Sequence, residues 1–168
     1  MTHTRRRSAR SRVLAPSAAL FALTLAGCSD GGARPSVAVP TPPSEAAAGY
    51  CEKLHEELPE TVDGLERNDP SPDSDLTAGW GDGAIVLRCG VPRPARMDDS
   101  QSKAVDADDV NWLLEQPDDA ADTGAGPRFT TTYRKAYVEV TLGTEYAHDI
   151  TPLSAFAVPV KRTVPDSL

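Results

Sequence analysis

Residues Val13–Ala26, VLAPSAALFALTLA, form a run of fourteen uncharged, mostly apolar residues. What that run is decides how much of the chain is left to fold. A membrane-spanning helix needs about 20 such residues, so this one is too short to cross. It follows Arg5, Arg6, Arg7, Arg10 and Arg12 and stops at the small residues Ala26 and Gly27, just before Cys28. A basic start, a short apolar middle and a small-residue end are the parts of a secretory signal peptide. A twin-arginine reading of the same segment fails, because no apolar residues directly follow the arginine pair. Residues 1–27 are therefore expected to serve export, and the fold must come from the rest.

The end of the segment, Leu25-Ala26-Gly27-Cys28, resembles the bacterial lipobox. Small side chains at Ala26 and Gly27 let a membrane-embedded protease reach the backbone, and the Cys28 thiol is the nucleophile that takes a diacylglyceryl group. Cleavage between Gly27 and Cys28 then leaves an acylated first residue. An ordinary secretory signal with a chance cysteine is the alternative, but charge, length and all four positions agree with the lipid reading. One acyl chain, such as a palmitate, holds a protein only marginally, at about 0.8 kcal/mol per buried CH₂, whereas two chains suffice. The expected location is the extracytoplasmic face of the cell membrane.

Removing residues 1–27 takes away five arginines and no acid, leaving 12 basic against 25 acidic residues and a net charge of −13. Such a surface cannot displace counterions from phosphate backbones, which excludes nucleic acid as a partner. Residues 28–44 hold Gly31-Gly32 and Pro35, Pro40, Pro42 and Pro43 without a periodic apolar face. They read as a tether of at most about 50 Å. A single domain is expected over residues 45–164.

Within it, Tyr50, Leu54 and Leu58 recur every four residues, with Cys51 beside them. Ser44 can cap that helix and Pro59 can end it. The β-rich run Ala84–Val91 reads as a buried strand, MDDSQSKAVDADD as an acidic loop and VNWLLEQ as a short helical turn. Phe129–Tyr133 and Tyr137–Leu142 alternate as strands and can form a hairpin across Arg134-Lys135. Thr151 as cap and Pro152 as first residue suit the start of a last helix, with Leu153, Phe156, Ala157 and Val160 on one side and Pro159 cutting or kinking it. The expected fold is α+β in two layers: a small antiparallel sheet of about three strands packed with N- and C-terminal helices.

Cys51 and Cys89 remain once Cys28 is acylated. In an exported chain an even pair reads as a disulfide. Free buried thiols and a metal pair are the alternatives. The mature chain has two histidines and no CxxC or HxxxH spacing, so neither a metal nor another cofactor is expected.

Catalytic motifs are wanting. Gly79-Trp80-Gly81-Asp82-Gly83 precedes a strand, whereas a phosphate loop follows one and opens a helix. His55-Glu56-Glu57 is not HExxH, GxSxG is absent, and His148-Asp149 stands alone. Trp80 is the residue to single out. It reads either as a loop anchor at the edge of the core or as an aromatic platform for sugar or peptide, flanked by the acceptor Asp82. Trp112 reads as its partner or as core.

Three blocks, CEKLHEELPETVDGLER, TAGWGDGAIVLRCGVPRP and FTTTYRKAYVEVTL, are similar to those of an actinobacterial family of secreted proteins, domain of unknown function 3515. The resemblance spans about residues 50–160. It implies an envelope lipoprotein or secreted protein and carries no catalytic residue over to this chain. The expectation is a lipid-anchored, non-catalytic binding or accessory module for a cell-wall component or membrane protein. A small hydrolase of wall glycan or peptide and an assembly factor for a membrane complex are the alternatives.

Overall fold

A computed structural model describes residues 34–116 and 126–168. Residues 1–27, expected to serve export, lie outside them with Cys28.

The chain is mostly β, which overturns the expected α+β fold on about three strands. Among the described residues, six strands form one antiparallel sheet and two more a separate hairpin, with two α-helices. The hairpin is β1 (Thr61–Val62) with β2 (Leu65–Glu66). The large sheet runs, in spatial order, β3 (Thr77–Trp80), β4 (Ile85–Val91), β8 (Tyr137–Leu142), β7 (Arg128–Thr131), β6 (Val110–Glu115) and β5 (Lys103–Ala107).

The extra strands have physical causes. The expected acidic loop and helical turn form one hairpin, β5–β6, in which Ala107 pairs with Val110. Asp108 and Asp109 make its two-residue turn with φ of 51° and 65°, a left-handed conformation that Asp tolerates better than most residues. Val110 and Trp112 are buried while Asn111 between them is exposed, so the period there is two. Likewise Asp63-Gly64, at φ 50° and 77°, turns β1 into β2.

Helix α1 (Glu45–Glu57) begins as expected, with Ser44 Oγ accepting the Ala47 N–H at 3.1 Å. Helix α2 (Thr151–Thr163) continues past Pro159 instead of being cut there. Thr151 is its first residue and not its cap. The Asp149 carboxylate accepts the Thr151 N–H at 2.8 Å, and the Thr151 side chain first, with this backbone N–H second, holds Asp149 below its ordinary carboxylate pKa.

Residues directly opposite in antiparallel strands share a face. One face carries Trp80, Ile85 and Leu142, then Ala78, Leu87, Val140 and Phe129, then Cys89, Val138, Trp112 and Val105. It packs beneath the helices: α1 against α2 and β4, α2 against β5 and β6. Cys51 of α1 is bonded to Cys89 of β4, with Cα atoms 5.4 Å apart. The pairing expected from the cysteine count is therefore present. Closing a loop of 38 residues restricts the unfolded chain and stabilises the fold by about 4 kcal/mol.

The second half of the expected tether is docked on the domain. The Val37 N–H donates to Ser71 O at 3.0 Å and the Ser71 N–H to Pro35 O at 2.8 Å. Arg34 donates to the carbonyls of Asp69 and Pro70 and pairs with Asp73. Pro40 is buried. A Cβ at Gly90, where φ is +87°, would stand 2.8 Å from Pro42 Cγ, so only glycine lets this strap lie down there. The 50 Å reach counted from Cys28 to Ser44 does not hold, because residues 34–43 are spent on the domain surface.

Candidate functional site

The sheet face away from the helices is the other alternation of the strands. One row crosses it from edge to edge: Thr77, Arg88, Glu139, Thr130, Leu113 and Ala104. Its middle carries alternating charge. Glu139 lies 3.5 Å from Arg88 and 3.7 Å from Arg128, and Arg128 lies 3.3 Å from Glu115. These charges compensate one another.

Beyond them the chain leaving β4 crosses the face before entering β5, and between this crossing and the sheet lies a cavity of about 490 Å³. That volume falls within the range of small-molecule sites, about 300–1,000 Å³. Met97 lines it from the crossing, Asn111 and Leu113 from β6, and Tyr133 and Tyr137 from the β7–β8 end. Arg93 lines it too, and Nη1 and Nη2 each donate to one Asp98 oxygen at 2.8 Å. This two-pronged bond clips the 3-10 turn Ala95–Asp98 into place. It raises the Arg93 pKa and lowers that of Asp98, so both groups hold their charge.

Tyr133 stands out. Its φ is 55°, a conformation that bulky L-residues avoid, and its side chain is 58% exposed. The C-terminal tail holds it there: the Ser167 N–H donates to Tyr133 O at 2.9 Å, and the Lys135 N–H to Pro165 O at 2.9 Å. Buried Arg134 secures the same tail, donating to Val164 O at 3.1 Å and lying 3.0 Å from Asp166. A bulky exposed side chain held at positive φ beside a cavity is a feature of binding sites.

The residues singled out from sequence go elsewhere. Trp80 is wholly buried, its ring centroid 5.1 Å from that of Phe156 and its Nε1–H donating to Pro59 O at 3.0 Å. Trp112 is wholly buried on the helix-facing side. Neither indole offers a platform, and both are core. Asp82 is exposed in the β3–β4 turn, remote from the cavity. The glycine beside Trp80 is explained by packing: a Cβ at Gly79 would sit 2.7 Å from Asn68 O. Residues 66–68 lie along the outer edge of β3 at this point, with the Asn68 N–H donating to Gly79 O. Gly27 and Cys28 lie outside the described residues. Among the described residues, no cluster of three or more His, Cys, Asp or Glu could hold a metal ion.

Sequence reading passes over Tyr133, Tyr137 and Arg93. The two tyrosines have a signal, because they bracket the hairpin connection. Arg93 has none, since its role depends on where the crossing lies.

No curated protein and no solved structure matches the chain. The profile of a family described as Protein of unknown function (DUF3515) matches residues 13–168. That is nearly the full length, and the protein belongs to this family.

Proposed function

We propose that this protein is an envelope lipoprotein of actinobacterial type, anchored through Cys28 at the extracytoplasmic face of the membrane. We propose further that its domain is a non-catalytic binding module whose ligand occupies the open-face cavity. Exposed Tyr133, held at φ 55° on the rim of a 490 Å³ cavity, carries the reading. The lining supplies one carboxylate, Asp99, and no histidine or cysteine, a set better suited to holding a ligand than to moving a proton. Tyrosine rings stack on the CH faces of sugars, and Arg93, Lys103 and Asn111 offer donors to hydroxyls and carboxylates. Cell-wall glycopeptide has both kinds of group. The Cys51–Cys89 bond supports an oxidising compartment.

The test uses residues 29–168 exported behind an ordinary signal peptide and mixed with purified cell-wall sacculi. The expected result is retention of the protein by the sacculi and a loss of about tenfold or more with Tyr133→Ala, the scale of an anchor residue. The melting temperature should hold, because the ring is largely outside the core. Equal retention of the two proteins contradicts the proposal.

A further inference from the structure

The strap has a consequence for where the cavity can be. From Cys28 to Arg34 the chain takes six steps, and six residues reach at most about 20 Å whatever path they follow. After Arg34 the chain is fixed to the domain by the bonds to Asp69, Pro70, Ser71 and Asp73. The strap begins at one particular end of the strands. Pro35 lies against Gly83, which lies in the β3–β4 turn. Ile85, just after that turn, pairs with Leu142 at the end of β8, while Val91 at the far end of β4 pairs with Tyr137. Tyr137 and Tyr133 therefore sit at the opposite end of the sheet, five strand residues away, or about 17 Å.

We infer that the anchored domain turns its β3–β4 end to the bilayer and holds the tyrosine end of the cavity away from it, within about 40 Å of the surface. This rests on the anchor at Cys28. The bias comes from the point of attachment and not from adhesion, because the turn carries exposed Asp82 and the 3-10 turn Thr144–Tyr146 after β8 carries exposed Glu145, which anionic lipid headgroups repel. The ligand is then wall material next to the membrane, and outer wall layers are out of reach.

The test uses the full-length protein, purified from membranes and reconstituted into phosphatidylglycerol–phosphatidylcholine vesicles that carry an acceptor dye on the headgroups. A donor dye is placed at Asp82→Cys or at Lys135→Cys, both exposed positions at the two ends. Intact mass of the purified protein reports the acyl groups. Energy transfer at position 82 should exceed that at 135 by about twofold or more, because the chain is attached at the end that carries position 82 and the other end is about 17 Å further on. A Gly/Ser insert of about twelve residues between Gly32 and Ala33 should erase the difference. Equal transfer at both positions in acylated, uninserted protein overturns the orientation and leaves the anchor standing. A mass without acyl groups overturns the anchor and the orientation with it.

Discussion

Trp80 and Trp112 are both wholly buried, and they differ at a single atom. Trp80 Nε1 donates to Pro59 O at 3.0 Å, whereas Trp112 Nε1 is buried without a partner among the described residues. Replacing Trp112 by Phe removes ring volume but also removes an orphan donor, whose burial costs about 1–3 kcal/mol. Replacing Trp80 by Phe removes the same volume together with a made bond and leaves Pro59 O unpaired. Trp112→Phe should thus destabilise the domain less than Trp80→Phe, by about 1–3 kcal/mol in urea unfolding. The reverse order would show that the indole environments are misassigned. At this scale the sequence is partly misleading. A tryptophan between glycines reads as presented on a loop, yet Gly79 is there because Asn68 O occupies the space of a Cβ. Tyr133 is illegible as a site because its conformation is held from Ser167, 34 residues on.

Elements with strong local signals are legible. Ser44 caps α1 where the apolar period begins, the run Ala84–Val91 holds strand β4 (Ile85–Val91), and the alternating Tyr137–Leu142 is strand β8. The short strands are not. β1 and β2 have two residues each, and β3 is a four-residue stretch containing glycine. β3 pairs with the next strand, β4, across residues 81–84, but its glycine weakens the strand signal, while Asp63-Gly64 is a local hairpin signal too brief to stand out between two-residue strands. In β5–β6 the acidic composition conceals the alternation. The Cys51–Cys89 bond is what fastens the first helix to this sheet. Cys51→Ser with Cys89→Ser should lower stability by about 4 kcal/mol in denaturant unfolding at matched conditions. A loss under about 1 kcal/mol would show that α1 holds to β4 by packing alone.

For the whole molecule, the helices cover one sheet face, and the strap and the crossing after β4 partly cover the other. The surface expected from sequence, Trp80 with Asp82, and the surface the fold offers, Tyr133 with Tyr137, lie at opposite ends of the strands. They therefore give different footprints. The most direct measurement is amide hydrogen exchange of residues 29–168, with and without soluble muropeptides released from sacculi. Slowed exchange is predicted in residues 93–103, 111–113 and 132–137, around the cavity, with residues 77–83 unchanged. Protection confined to residues 77–83, or none anywhere at saturating muropeptide, would contradict a binding site on the open face.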